Sequence, residues 1–509
     1  MKISASIITH NEEKNIGNCI DSLGQVADEI VVLDSFSSDA TKDLAIEKGA
    51  QVIQKNFIGF TAQKQLAIEY CSHDFILSLD ADERLSDELI QSIQKIKRLK
   101  NAHVFSCNRL NHFNRKPIKS CGWYPDKKIR LFHKKFANWQ GGLVHEEVIP
   151  FNAEEKIIHL KGDLLHFGFN TVGDLLNKMR KYAAIYAREN AHQRNITPWE
   201  IKLKTKAAFF KNYFIKKGIF DGYIGYLISK ANADGVHYKY AMLRETNQSL
   251  ACSLIITTYN RPEALKRVIN SVFLQSKAPK EIIIADDGSN EKTKNMLATF
   301  NHRKIPIVHI WQEDKGFRAA KIRNKAIARA KEKYIVLIDG DMVLPQHFIA
   351  DHLYCAQKKR IVQGSRVLLD EKTSFETIKE KAKPNFFTKN IRNRKNTIRS
   401  SFLSKVFSYS NQNIFKVRSA NLSFWKSDAL AINGFNEDFQ GWGREDSEFI
   451  QRLFHRGIKK FHPKFKASAY HLHHKENSRA QLPENEALLQ KSIDEKLLEC
   501  SNGINKYLP

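Results

Sequence analysis

Tyr334-Ile335-Val336-Leu337-Ile338 running into Asp339-Gly340-Asp341 reads as a buried strand that ends in two carboxylates one residue apart. The same phrase stands earlier in the chain, where Phe75-Ile76-Leu77-Ser78-Leu79 runs into Asp80-Ala81-Asp82. Other landmarks repeat in the same order. Ser6-Ile7-Ile8-Thr9 answers Ser253-Leu254-Ile255-Ile256-Thr257, and Glu29-Ile30-Val31-Val32-Leu33-Asp34 answers Glu281-Ile282-Ile283-Ile284-Ala285-Asp286. Solenoid repeats run to roughly 20–50 residues, so a repeat this long implies two copies of one domain.

Working outward, short β-rich runs at 5–8, 29–33 and 75–79 alternate with helical stretches at 13–23 and 40–48. Strands alternating with helices predict an α/β fold, a parallel sheet flanked by helices, with its site at the carboxyl ends of the strands. Both aspartate pairs fall at such an end. At 509 residues the chain fits two domains of roughly 250 residues each. The expected division is a first catalytic domain over 1–174, a helical, basic and aromatic extension over 175–245, and a second catalytic domain over 251–509. Within the last, 379–413 reads as basic and irregular and 483–496 as a closing helix.

Lys and Arg number 82 against 55 Asp and Glu, a net charge of +27, which favours a polyanionic partner. The cations concentrate in two runs, Lys202 to Lys217, interleaved with Phe209, Phe210, Tyr213 and Phe214, and Lys379 to Arg399. Anionic lipid and phosphorylated glycan suit these runs; no nucleic-acid-binding signature accompanies them, and no nucleic-acid partner is expected. No apolar run approaches the roughly 18 residues of a bilayer span, and the first apolar stretch leads directly into Asn11-Glu12-Glu13-Lys14 as a buried strand would. A cytoplasmic protein is expected, with its seven scattered cysteines reduced.

A lone Asp-x-Asp is most often a turn or a helix cap. Here it recurs at the same place in both halves, where a hard-oxygen pair can hold Mn²⁺ or Mg²⁺ together with a substrate diphosphate. Each half adds an acid after an earlier strand, Asp34 in the first and Asp286 and Asp287 in the second, suited to a nucleotide's base or ribose. Neither half has a G-x-G-x-x-G or a Gly-Lys-Ser phosphate loop, which removes the main support for hydride transfer and P-loop chemistry.

With these residues the chain resembles the GT-A glycosyltransferases of family 2 in both halves. The first half is similar to bacterial lipopolysaccharide-core β1,4-glucosyltransferases through Leu79-Asp80-Ala81-Asp82-Glu83, Tyr124-Pro125-Asp126, Arg130-Leu131-Phe132 and Val144-His145-Glu146. The second resembles β1,4-galactosyltransferases and chondroitin- or hyaluronan-type synthases through Asp314-Lys315-Gly316-Phe317-Arg318, Ile322-Arg323-Asn324, Gly441-Trp442-Gly443-Arg444-Glu445-Asp446 and Ala469-Tyr470-His471.

The resemblance implies two tandem GT-A domains and a set of roles. Donor contacts fall to Thr9, Asn11, Glu12, Asp34 and Asp80 in the first half. In the second they fall to Thr257, Tyr259, Arg261, Asp286, Asp287, Arg318, Arg323, Asp339 and Trp442. Metal ligands are Asp80, Asp82, Asp339, Asp341 and His471, the last fitting better than His473 or His474 because Lys475-Glu476-Asn477 follows it. For an inverting transfer a carboxylate must take the acceptor proton. Glu445 or Asp446 supplies it in the second half; Glu146 or Glu147 does so in the first, where His145 could bind metal, orient the glutamate or pack. The expected protein is a bifunctional, metal-dependent transferase using nucleotide-diphosphate sugars on a lipid-linked glycan at an anionic inner-membrane surface. Its rivals are a capsule polymerase alternating two sugars and a binding scaffold with a dead site.

Overall fold

The computed structural model describes residues 1–98, 102–141, 146–300, 303–414, 417–475 and 479–508; His145, Glu476 and Asn477 lie outside them. The chain forms two compact units, Met1–Asn190 with Ile196–Arg244, and Ala191–Asn195 with Glu245–Pro509. The change of unit falls inside the helix Gly222–Gln248, beyond whose glycine-initiated start no proline or further break interrupts the helical run.

In the first unit the strands Gln51–Gln54, Glu29–Asp34, Ile3–Thr9 and Phe75–Asp80 lie side by side in that order, all parallel. Ile3, Ala5, Ile7, Val31, Val32 and Leu33 are fully buried, because helices cover both faces and leave no side for polar alternation. Beyond Phe75–Asp80 the sheet continues with Asp126–His133, antiparallel to it, then Val104–Phe113, Ile157–Phe169 and Glu83–Leu85. The helices Val172–Glu189, Pro198–Phe210 and Gly222–Gln248 complete the unit. Thr171 and Thr197 start the first two with capping boxes to Asp174 and Glu200, which satisfy otherwise orphaned N–H groups.

The second unit repeats the plan. Ile307–Trp311, Glu281–Asp286, Ser253–Thr258 and Tyr334–Asp339 are parallel neighbours in that order, followed by the antiparallel Asn421–Trp425. In both units the chain works outward from the first strand and then returns to its other side, so the Asp-x-Asp strand flanks the point where strand order reverses. A three-stranded sheet of Met342–Val343, Ser468–His471 and Ser365–Leu368 sits at that end of the second unit. The region expected to be irregular at 379–413 carries a short helix, Ser401–Phe407, and a strand, Tyr409–Asn411. All seven cysteines are free and buried.

Candidate active sites

Strand register sets the second unit's site. Thr257 pairs with Asp339 and Thr258 with Asp286, so the strand ends are level. Met342 pairs with His471 across two short antiparallel strands, and the Leu472 N–H donates to the Asp341 carbonyl at 3.0 Å. This pairing, over 130 residues of sequence, sets His471 Nε2 3.7 Å from Asp341 Oδ1, while His474 Nε2 lies 3.4 Å from Oδ2. Arg261 Nη1 donates to the same Oδ2 at 3.0 Å.

The Gly441-Trp442-Gly443 stretch earns its glycines: φ is 69° at Gly441, 115° at Gly443 and 72° at Arg444, left-handed backbone that favours residues without a Cβ. The turn delivers Glu445 and Asp446 to the first turn of the helix Glu445–His455. Arg323, on the helix Ala319–Arg329, reaches between the acids: Nη1 to Glu445 Oε1 at 3.0 Å and Nη2 to Asp339 Oδ1 at 3.5 Å. Asp446 instead accepts the Ser419 N–H at 3.1 Å. Trp442 is exposed, beneath the Arg479 guanidinium.

Four carboxylates, Asp339, Asp341, Glu445 and Asp446, thus meet two guanidiniums, Arg261 and Arg323, and the residual negative charge is visible in their protonation. Burial, then Glu445, push Asp446 up to about 7. Burial and Asp341 outweigh Arg323 and raise Asp339 to about 6. Burial also raises Asp341. Burial lowers His471 to about 4, with His474 adding to the shift, which leaves a neutral imidazole, the form that ligates metals. Asp341 Oδ1 is buried with no hydrogen-bond partner, and ligand atoms of Asp341, His471 and His474 lie within 4.8 Å of one another. A divalent cation fits these residues.

The first unit encloses a cavity of about 1390 Å³, larger than the ~300–1,000 Å³ usual for one small ligand. Thr9, Glu12, Asp80, Asp82, Glu146 and Glu147 line it from the sheet side, and Lys178, Tyr182, Tyr186 and Lys239 from the long helices. Lys64 Nζ, nearly buried, lies 2.8 Å from Asp80 Oδ1 and 3.8 Å from Glu146, above the Trp139 ring. Arg130 Nη2 is 3.5 Å from Asp80 Oδ2 and 2.8 Å from Glu83. Although burial opposes it, these cations hold the Asp80 carboxyl well below the usual range. His166 Nε2, 3.2 Å from Asp82, likewise outweighs burial and lowers Asp82. Three adjacent carboxylates, Asp80, Asp82 and Glu83, face Lys64, Arg130 and Arg109, so this site is compensated by protein cations where the second is not.

Two of these residues escape the sequence reading yet have counterparts in the other half. Lys64, on the helix Phe60–Glu69, stands sixteen residues before Asp80, and Arg323 stands sixteen before Asp339. Each joins the first aspartate to a candidate base region. His166 pairs with Glu83 as His471 pairs with Met342, and the Phe167 N–H meets the Asp82 carbonyl at 2.9 Å as Leu472 meets Asp341. His166 thus stands in the first unit where His471 stands in the second; His145, left open by the sequence among metal binding, orienting the glutamate and packing, lies outside the described residues. The 259-residue offset between Asp80 and Asp339 links Lys64 to Arg323 by position, but it does not reach the histidines, which stand 305 residues apart.

The loops after the first two strands also match. Asn11 and Asn260 both have positive φ, 55° and 48°; their N–H groups donate to Ser37 and Ser289, and their side chains accept from Ser38 and Asn290. Asp34 and Asp286 lie buried beneath, accepting the Ser37 and Ser289 N–H groups; Gln54 also donates to Asp34 Oδ2, and His309 lies beside Asp286 Oδ2. Asp34 does not line the cavity; it shapes the loop above it. Asp287 accepts the Arg318 N–H at 2.7 Å and Gln312 at 2.6 Å, and Tyr259 donates to Asp314 at 2.8 Å.

The profile of "Glycosyl transferase family 2" matches residues 4–152 and 253–418, together more than half of the chain, and that of "N-terminal domain of galactosyltransferase" matches 403–475. An uncharacterized glycosyltransferase of Rickettsia bellii is 33% identical over 50% of this chain and 88% of its own length. Validoxylamine A glucosyltransferase of Streptomyces hygroscopicus subsp. limoneus is 28% identical over 40% of this chain and 48% of its own. Chondroitin synthase of Pasteurella multocida is 26% identical over 42% and 24%. Among solved structures, the mannosyltransferase PcManGT from Pyrobaculum calidifontis in complex with GDP-Man and Mn²⁺ aligns over 50% of this chain and 65% of its own, at 14% identity and a TM-score of 0.33. GalNAc-T7 with UDP, GalNAc and Mn²⁺ aligns over 51% and 56%, at 11% identity and a TM-score of 0.35. Matched by the family profile in two separate stretches, one over each of its two large sheets, the chain belongs to glycosyl transferase family 2, as a tandem of two GT-A α/β domains.

Proposed function

We propose that each unit carries its own sugar-transfer site and that the two successively extend a lipid-linked bacterial glycan, most directly a lipopolysaccharide or lipooligosaccharide core, with inversion to β-linkages. The observation that carries this reading is the duplication of a whole constellation. Each unit has an Asp-x-Asp strand end, a helix-borne cation on its first aspartate, a histidine on its second and acids nearby.

In the second unit Asp446 takes the acceptor hydroxyl's proton as that oxygen attacks the anomeric carbon of a nucleotide-diphosphate sugar, and a value near 7 suits both accepting and releasing it. Glu445, tied to Arg323, orients the site. Mn²⁺ or Mg²⁺ held by Asp341, His471 and His474 supplies positive charge to the leaving diphosphate when bound. In the first unit Glu146, facing Lys64 in the cavity, is the base, and Asp82 with His166 is the corresponding metal pair.

A peripheral position on the cytoplasmic face of the membrane accompanies this reading. No helix among the described residues is long and apolar enough to cross a membrane. Phe210, Phe214, Ile215, Phe220 and Tyr223 are exposed, the last two at 82% and 76%, beside Lys211, Lys216 and Lys217. Apolar side chains next to lysines favour an anionic lipid surface over an internal helix.

The similarity to chondroitin synthase favours one second reading, a capsular polymerase that alternates two sugars. Product length separates the two. A panel of nucleotide sugars with Mn²⁺, incubated with truncated lipopolysaccharide acceptors, is expected to add one or two residues; a long polymer supports the second reading. A protein that neither transfers nor hydrolyses any donor is a binding scaffold.

A further inference from the structure

Between Glu380 and Asp428 the chain has no acidic residue and eleven Lys or Arg. Nothing in the sugar-transfer reading uses residues 381–409 of this stretch, and several of their large apolar side chains are turned outward. Phe387 is 85% exposed and Phe402 76%, with Val406 and Phe407 also exposed. The short helix Ser401–Phe407 buries Ser404, capped by Ser400 at its start, and leaves Phe402, Lys405, Val406 and Phe407 on the open side.

The segment is anchored at its base. Arg399 makes three hydrogen bonds of 2.8–3.2 Å to Asp351, the Ser400 N–H donates to the Phe465 carbonyl at 3.1 Å, and Arg392 bridges Leu368. Before and between these anchors Lys383, Lys389, Arg394 and Lys395 are exposed, with no carboxylate among the segment's own residues. A soluble protein rarely leaves several large apolar side chains uncovered together, and where it does the patch is usually an interaction site.

We propose that this segment, 381–409, is a membrane-docking surface of the second unit, which inserts Phe387, Phe402 and Phe407 among the acyl chains and headgroups of an anionic lipid surface while the surrounding cations meet the headgroup charge. Charge complementarity selects the anionic surface, and the aromatic and aliphatic tips select a lipid over a purely polyanionic partner, which would meet cations without needing apolar insertion. The surface is distinct in sequence and in unit from the Lys202–Lys217 run. It gives the second domain its own hold on the leaflet that carries a lipid-linked acceptor.

The seven native cysteines are all buried, so Phe402→Cys gives one reactive thiol for an environment-sensitive fluorophore on the full chain. With phosphatidylglycerol–phosphatidylethanolamine vesicles the expected result is a blue shift quenched by brominated lipid, with little response to phosphatidylcholine. Replacing Lys383, Lys389 and Lys395 by Gln in the unlabelled chain is expected to lower its vesicle partitioning by about 10²-fold, near the loss of three surface cations. A silent fluorophore on protein that sediments with vesicles overturns the proposal and leaves the first unit's contact standing. A response to heparin but not to vesicles replaces lipid with a soluble polyanion and overturns it as well. Failure of the full chain to sediment with anionic vesicles overturns both membrane surfaces without touching the transferase reading.

Discussion

Arg323 donates to Glu445 at 3.0 Å, and this buried pair divides the Glu445-Asp446 dipeptide into two chemically different acids. Glu445 is committed to a guanidinium that it shares with Asp339, whereas Asp446 accepts the Ser419 N–H and the neighbouring Ser447 hydroxyl and has its carboxyl pushed up to about 7. Asp446→Asn preserves size and most hydrogen bonding while removing basicity. Turnover of the second transfer should fall by about 10² or more with donor affinity little changed. In the parent, kcat/KM for that transfer should climb as pH rises through about 7, and this limb should vanish in the variant. Near-normal turnover of Asp446→Asn would move the role to Glu445.

The equivalence of Lys64 and Arg323 makes a second prediction. Lys64 lies against Asp80 with almost no solvent access, so Lys64→Met leaves that carboxylate facing an apolar side chain. Breaking a fully buried pair costs roughly 3–5 kcal/mol; Arg130 beside Asp80 and the partial exposure of Asp80 should bring the loss below that. Thermal unfolding should therefore move down by several degrees, and the first transfer should be lost while the second persists. Lys64→Arg, which installs the cation found at the matching position of the second unit, should recover most of both. A Lys64→Met protein with normal first-site kinetics would show that Lys64 only packs.

Much of this was legible because the repeat supplies its own control. Level strand ends put Asp80 and Asp339 at matching points, and apolar runs ending in acids reveal that without any structure. The Gly441-Trp442-Gly443 turn is readable for a similar reason, since left-handed backbone restricts which residues can stand there. His166 and Lys64 were not, because what gives each its role is a partner across the sheet. His166 matters through antiparallel pairing with Glu83, and Lys64 through a helix that lays it on Trp139. Period and propensity carry no information about such pairings. Asp34 and Asp286 stand at strand ends, where an acid suggests a ligand contact; what the pattern does not reveal is that they also accept the Ser37 and Ser289 N–H groups, whose hydroxyls in turn hold Asn11 and Asn260.

Because each unit has its own constellation, the two transfers should separate genetically. Asp339→Ala with Asp341→Ala should abolish one and leave the other measurable on the same acceptor series; Asp80→Ala with Asp82→Ala should do the reverse. Product analysis by mass spectrometry reads both at once. Loss of both activities in either folded variant would mean that the units build a single site.

The charge imbalance of the second site predicts a link between pH, metal and stability. Asp339 at about 6 and Asp446 at about 7 both lie above the ordinary carboxyl value of 3.8. A carboxyl raised in the folded state binds its proton more tightly there than when unfolded. Its contribution to stability is therefore complete below about pH 4 and is lost as pH rises through 6 and 7. Metal-free protein should accordingly lose thermal stability between about pH 4 and 7 from this source. Mn²⁺ competes with protons for the same cluster of acids, so the rise in Tm on adding Mn²⁺ should grow over the same range. Asp339→Ala with Asp341→Ala should flatten that response. The first site, already compensated by Lys64, Arg130 and Arg109, should contribute a weaker class of Mn²⁺ binding. Calorimetric titration of the parent and of both double-alanine variants distinguishes these cases. A tighter Mn²⁺ site that disappears with Asp80 and Asp82 instead of Asp339 and Asp341 would reverse the electrostatic ranking of the two sites.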